Sequence, residues 1–472
     1  MSSLVSVSGL ATGMDTKTLV SQLMVLERQP ETILTKSKTK MQSQIDVYTP
    51  LQTALSNLQT LMSGMNTSTK FQVQTASLSD STLASAQASS TALAGTHDLV
   101  VTSLAKSQRQ VSTNGFASAS DLVFKDGGTI TISGGSSGDL TVTLGSGNNS
   151  LNGIAAAINS SGGNLTASII NDGSSTPFRL VLTGKDTNNY TVDMSGLDDT
   201  SAAPTFNSSD PTYSPASNAI FSLDGVSMTR TSNTVNDAIP GVTLNLLKGG
   251  GGTSTVTVGN DTAAITSKIN SFISSYNDIM GIINKQSVYD STKKTAGPLF
   301  GDSTLRSVKD TLRSIISSPV SGADANYSLL SQIGISTNSK DGTLSLDSTK
   351  LSTALSANFS AVTDLFTHNG GGYGITDTST YGIAERFNLR MDKLTNAYTG
   401  AGADNGIIAT RINGLQKSMT NIDDQIASME LLLTQKEDNL NKQFAAMESL
   451  VSGLSTSGNA LINSLSNMPK WA

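Results

Sequence analysis

Residues 408–467 read IATRINGLQKSMTNIDDQIASMELLLTQKEDNLNKQFAAMESLVSGLSTSGNALINSLSN. Within this stretch Ile408, Ile412, Leu415, Met419, Ile422, Ile426, Met429, Leu433, Leu440, Met447, Leu454 and Leu461 fall on one a/d heptad frame. Lys436 and Gln443 are its polar breaks, and no proline interrupts it. A narrow apolar seam with polar flanks, sustained over many turns, predicts a coiled-coil helix. The competing reading is one long helix lying on a globular core.

A coiled coil needs a second helix, and the other end of the chain offers one. Asp15 is placed as a helix N-cap, and Leu19, Val20, Leu23 and Met24 follow at helical spacing. Pro30 is either the stop of that helix or the first residue of the next. The next helix carries Met41, Tyr48, Leu51, Leu55, Leu58, Met62 and Met65, and Pro50 is expected to kink it or mark a joint.

Between the ends, residues 71–262 read as β structure. Short β-branched runs begin at Leu99, Thr129, Leu140, Ala167 and Arg179, and Gly, Asn and Asp turns bound them. Leu151–Ile158 is expected to be a short helix among the strands, and Gly249–Gly252 a flexible link. Helical patterning returns with Ile265, Ile269, Phe272, Ile273, Tyr276 and Ile279, and again with Leu305, Val308, Leu312, Ile315 and Ile316. Asp341-Gly342 then marks a hairpin between Ile335 and Leu344. The chain runs helix, sheet, helix, so β domains are inserted between ends that can meet.

Composition narrows the function. The formal net charge of -6 argues against nucleic acid, whose binders need a basic patch. Charged residues are 14%, against about 25% in an ordinary domain, and Ser, Thr, Asn and Gly fill the deficit. The absence of cysteine removes disulfides, thiolate metal sites and a Cys nucleophile. Two histidines, His97 and His368, leave little for a metal site or a triad, and each reads as an ordinary surface or packed residue. The first residues lack the basic start of a secretory signal, so export would need another route. No apolar run of about 18 residues predicts a membrane span.

No catalytic motif has its context. The glycine runs at Gly249 and Gly370 are not followed by Gly-Lys-Ser/Thr, so no phosphate loop is expected. No nucleophile elbow is supported by a histidine. Asp423-Asp424 are neighbours on a helix, better read as a solvated flank than a metal pair, and Asp198-Asp199 as a turn. The expectation is no enzyme, no cofactor and no metal.

The ordered motifs carry a resemblance. Ser8-Gly-Leu-Ala-Thr-Gly-Met-Asp15, with Leu19–Met24 and Glu27-Arg-Gln-Pro30, resembles the opening of the flagellar hook-associated protein 2 family, the filament cap. Ala11 and Thr12 replace that family's commoner pair. Gly95–Ala105 is similar to another family segment, with His97 in a tyrosine's place. Ser150–Asn159 resembles a segment shared with flagellin inserts. Leu223-Asp-Gly225 with Arg230–Val235 and Gly241–Leu244 is the most specific block. Gly297–Arg306, Ile333–Ile335 with Asp341–Leu344, and Gln443–Glu448 complete the order, while Met468–Ala472 is atypical.

The resemblance implies an α+β multidomain chain, in which N- and C-terminal helices form a coiled-coil leg attached to a helical domain and two inserted β-rich domains. The expected division is 1–42 with 405–472 for the leg and 43–70 with 263–404 for the helical domain. The β-rich domains are expected at 71–115 with 238–262 and at 116–237. The implied function is a structural cap at the distal tip of the filament, secreted, promoting flagellin polymerisation and preventing loss of subunits. Implied partners are flagellin, further copies in a ring, a cytoplasmic export chaperone and the type III export apparatus, with no nucleic acid. Family-motif residues are Gly9, Leu10, Gly13, Asp15, Asp224, Gly225, Asn233, Gly241, Leu244, Gly301 and Asp302. The assembly face is expected at Ile422, Ile426, Met429, Leu433, Phe444 and Met447. A hook–filament junction protein or flagellin-like subunit is the alternative, disfavoured by the missing Leu-Ser-Ser-Gly-Leu-Arg-Ile-Asn segment, and a surface adhesin is a further one.

Overall fold

Asp15 opens the first helix, α1 (Thr16–Glu27), by accepting the Thr18 N–H at 3.0 Å. Pro30 sits in the first turn of α2 (Gln29–Ser63), where its missing N–H would have had no helical partner anyway. The computed structural model describes residues 13–135, 138–199, 201–290, 292, 294–370, 378–395 and 406–466. Helix α2 runs through Pro50 without a break, so that proline marks no joint. Tyr48 and Leu51 on either side of it are fully buried, and tertiary packing outweighs the lost hydrogen bond.

The chain continues with α3 (Ser68–Phe71), β1 (Gln74–Leu78), β2 (Ala84–Ala88), β3 (Gly95–Ser103), β4 (Arg109–Val111), β5 (Thr129–Ser133) and β6 (Leu140–Thr143). Helix α4 (Leu151–Ser160) precedes β7 (Leu165–Asn171), β8 (Phe178–Gly184) and β9 (Thr191–Asp193). Then come β10 (Ala219–Leu223), β11 (Val226–Arg230), β12 (Thr234–Ile239), β13 (Val242–Leu246) and β14 (Gly252–Asn260). Helix α5 (Thr262–Ser287), the short β15 (Tyr289–Asp290) and β16 (Thr295–Ala296), and α6 (Ser303–Ser317) follow. The last elements are β17 (Ile335–Thr337), β18 (Leu344–Leu346), α7 (Ser348–Ala357), α8 (Phe359–Thr367), α9 (Ile383–Thr395) and α10 (Ile407–Ser466). The fold is mixed α+β and multidomain, as the sequence patterning indicated.

Two units divide the chain: Gln72–Ile265, and the residues up to Phe71 joined with those from Thr266 onward. The first is β-rich and holds two cores. A five-stranded antiparallel sheet of order β1-β14-β3-β10-β11 and a three-stranded sheet β12-β13-β2 bury Leu99, Val101, Phe221, Leu223, Val235, Leu244 and Val256. The sheets β4-β8-β7 and β6-β5-β9, with α4, enclose Phe124, Ile130, Ile154, Leu165, Leu180 and Leu197. Strands β10 to β12 therefore belong to the first core, not to a 116–237 domain, and β4 pairs with β8 of the second. Local strand patterns identify strands but not their distant partners, so this exchange was invisible to periodicity.

Two local readings sharpen. Ser150 caps α4 by accepting the Gly153 N–H, and a Cβ on Gly153 would lie 1.7 Å from the Asn148 carbonyl oxygen, so only glycine fits. The glycine run at 249–252 is no flexible link. Gly250 and Gly251 donate to the Thr102 and Val101 carbonyls, which makes the run a bonded turn leading into β14.

The other unit is helical. Tyr48, Leu51, Leu55, Leu58 and Met62 of α2 are buried and α2 packs on α9, whose Phe387 meets Phe272 and Tyr276 of α5. Phe272 and Phe387 meet edge-on at 5.4 Å. The expected boundary at residues 42 and 43 falls inside the continuous helix α2.

Candidate functional site

The terminal helices meet within this unit. Val20 and Met24 of α1 and Leu433 of α10 are buried against one another, with Met429, Leu440 and Phe444 packed around them. Ion pairs fix the direction: Glu27 meets Lys436 at 2.7 Å, Arg28 meets Glu430 at 3.7 Å, and Lys38 meets Asp423. Numbers rise along α1 and α2 while they fall along α10, so the pairing is antiparallel. These pairs are solvent-exposed and set register more than stability. Lys436, read as a polar break, is one of the registering charges.

The base of the pair is tied to the helical unit by one carboxylate. Asp302 caps α6 by accepting the N–H groups of Thr304 and Leu305, and Oδ1 also accepts the Tyr48 hydroxyl at 2.6 Å. Oδ2 accepts from Arg411 on α10 at 3.2 Å. Burial disfavours the Asp302 charge, but the Tyr48 hydroxyl, the two N–H groups and the Arg411 guanidinium outweigh it and hold its carboxyl below the ordinary value. Burial, then the same hydrogen bond, push the Tyr48 hydroxyl well up.

The seam is covered unevenly. Ile408, Leu415, Ile422 and Leu433 are buried, and Ile412, Met419, Ile426, Met429, Leu440, Phe444 and Met447 are half-buried. Among the described residues the cover ends beyond Met447. Leu454 and Leu461, expected as seam positions, are 68% and 63% exposed, and among the described residues α1, running antiparallel from Thr16, does not extend opposite them. About 28 Å of α10 beyond Met447 carries open apolar side chains, Leu450, Ile462 and Leu465 among them. A second apolar surface lies off the paired face, where Val25, Leu26, Leu431 and Leu432 are all more than 60% exposed.

The remaining motif residues do local structural duty. Gly13 precedes the Asp15 cap, and Gly9 and Leu10 lie outside the described residues, as does the tail from 467. Asp224 and Gly225, both at positive φ, make the two-residue turn between β10 and β11. Asp224 also accepts the Asp98 N–H and bonds His97 at 2.8 Å, which holds its carboxyl below the ordinary value, His97 contributing most. Asn233 exchanges two hydrogen bonds with the Ala105 backbone. Gly241 turns β12 into β13, Leu244 is fully buried, and Gly301 leads into Asp302. Asp198 caps the Ala203 N–H, and His368 bonds Asp364 one turn away. The structure thus brings Met429, Leu433 and Phe444 together with Val20 and Met24, and leaves the β-turn residues apart from them in the other unit. Sequence reasoning missed Tyr48 and Arg411 as partners of Asp302. It also missed the outer apolar face, although Leu23-Met-Val-Leu26 is too broad an apolar run for one stripe.

Among the described residues no group of three or more acidic, His or Cys side chains could hold a metal ion, and no helix is long and apolar enough to cross a membrane.

Comparison with known proteins bears directly on this architecture. The family model for the flagellar hook-associated protein 2 C-terminus matches residues 216–456, and that for its N-terminus matches residues 12–108. The chain belongs to the flagellar hook-associated protein 2 family. It is 31% identical to the A-type flagellar hook-associated protein 2 of Pseudomonas aeruginosa over 99% of each chain. It is 28% identical to the flagellar hook-associated protein 2 of Escherichia coli K12, over 84% of this chain and 90% of that one. The crystal structure of the D1-D2-D3 domains of the flagellar cap protein from Escherichia coli aligns at a TM-score of 0.57 and 27% identity, over 78% of this chain and 99% of that one. Membership in the hook-associated protein 2 family places the paired terminal helices and the β-rich unit in a structural component of the flagellum.

Proposed function

We propose that this protein caps the growing tip of the flagellar filament as a ring of identical copies, and that its paired terminal helices are the leg that engages flagellin. One observation carries the reading: α10 keeps an apolar stripe past the end of its intramolecular partner, with Leu454 and Leu461 open to solvent. An apolar helix face of this length needs a partner outside the described part of the chain. Flagellin at the filament end is such a partner, and exchange of apolar contacts as subunits arrive needs no bond chemistry. Its export through the type III apparatus with a cytoplasmic chaperone, and its position outside the cell at the filament tip, follow from the same reading. The test is a strain lacking this gene. It should secrete unpolymerised flagellin and swim poorly, and the intact gene should restore filaments. Filaments of normal length without the gene would refute the cap reading.

A further inference from the structure

Helix α6 turns a polar face away from the core. Its buried residues are Leu305, Val308, Leu312, Ile315 and Ile316, and the opposite side carries Ser303, Arg306, Ser307, Asp310 and Ser314. Helix α9 brings Arg386 and Arg390, one turn apart, alongside that face. Between them lies an open groove of about 650 Å³, within the range of small-ligand sites. Its lining is unlike an ordinary apolar pocket. Among the described residues the wall holds Arg306, Arg386 and Arg390 with one carboxylate, Asp310, and the rest is mostly Ser and Thr hydroxyls.

That local charge runs against the chain as a whole, whose formal net charge is -6. The groove is also rigidly built at its floor. Arg386 is 3% exposed and donates to the carbonyls of Tyr381, Ser318, Pro319 and Ser379, at 2.5 to 2.9 Å. Those bonds lock the 318–319 turn and the 379–381 segment onto α9. Arg390 donates to the Thr378 hydroxyl at 3.1 Å, and neither it nor Arg306 forms an ion pair among the described residues. Guanidinium forks beside hydroxyl donors match the geometry of oxyanions, whose oxygens accept several charge-assisted hydrogen bonds at once.

We propose that this groove binds a small oxyanion bearing two or more negative charges. Arg306 and Arg390 are its charge partners, and Ser307 and Thr311 are hydroxyl donors from the same face. The bound anion bridges α6 to α9 and so stabilises the helical unit.

The experiment is isothermal titration calorimetry of the full-length protein with pyrophosphate, sulfate and citrate, in buffer free of other multivalent anions. Sodium chloride at matched ionic strength controls for screening. The expected result is saturable binding of at least one of the three. The tetrahedral anions binding without citrate would identify a phosphate or sulfate group, and citrate binding would identify carboxylates. Arg306→Gln with Arg390→Gln should weaken the affinity by about tenfold or more. Both side chains are exposed, so the fold should be retained. Ser307→Asp keeps both arginines and should also abolish binding through charge repulsion. Absence of saturable heat from all three anions, or unaltered affinity in both variants, would overturn the proposal.

Discussion

The Tyr48 hydroxyl donates to one oxygen of Asp302 at 2.6 Å, while the other oxygen of that carboxylate accepts from Arg411. One side chain thereby joins α2, the start of α6 and the root of α10. Replacing Asp302 by Ala should uncap α6 and strand the buried Tyr48 hydroxyl, at a cost of about 2–4 kcal/mol. Tyr48→Phe removes only the donor and should cost about 1 kcal/mol. Urea unfolding followed by circular dichroism measures both, and equal costs would show that the cap contributes nothing.

The same carboxylate predicts an acid response. Its folded value lies below the ordinary 3.8, so its contribution is fully present above that value and is lost as the pH falls through the lowered folded value. Between neutrality and pH 2 the helical unit of Asp302→Asn should therefore lose less stability than the wild type. Parallel acid titrations of the two proteins would argue against this assignment.

Leu433 is buried between α1 and α10, whereas Ile426 is half-buried on the same helix. Leu433→Asp should separate the helices locally at a cost of about 3 kcal/mol or more, and Ile426→Asp should cost less. Hydrogen exchange at residues 16–27 reports the separation. Swimming in a complemented deletion strain reports function, and normal motility in a well-expressed Leu433→Asp protein would show that the pairing is not needed.

Leu454→Ser with Leu461→Ser probes the open part of the stripe. Both residues are exposed in the isolated chain, so the thermal midpoint should stay within about 0.5 kcal/mol of equivalent stability. Filament growth should nevertheless fail. Full motility would place the working surface elsewhere.

A fragment spanning 72–265 should fold without the helices, because it holds two cores of its own. A cooperative melt with β-type circular dichroism is the expected outcome, and a featureless spectrum would show that it depends on the helical unit.

Local signals carried most of the architecture. The heptad spacing from Ile408, the Asp15 cap and the short helix from Leu151 each depend on residues within a turn or two, and each is visible in the sequence. The Asp224-Gly225 turn is equally local, since two adjacent positive φ angles suit that dipeptide. Pairings across long separations were not legible. Nothing near Phe221 says that it opposes Val101, and nothing near Tyr48 names Asp302. The end of the covered seam was hidden too, because it depends on where α1 starts and not on the seam itself. The arginine groove is divided between α6 and α9, and neither helix alone shows more than ordinary surface charge.

The meeting of Val20 and Met24 with Leu433 also dictates an order of events. A contact spanning almost the whole chain closes a very long loop, and its entropic cost must be met before any packing rewards it. The β-rich unit is a single continuous segment and faces no such closure. A chain released end-first should therefore complete its sheets while the terminal helices still lack each other, and zip those helices last. The free terminal helices would then coexist with finished β domains for a time, and that interval is when either helix is most open to capture by another molecule.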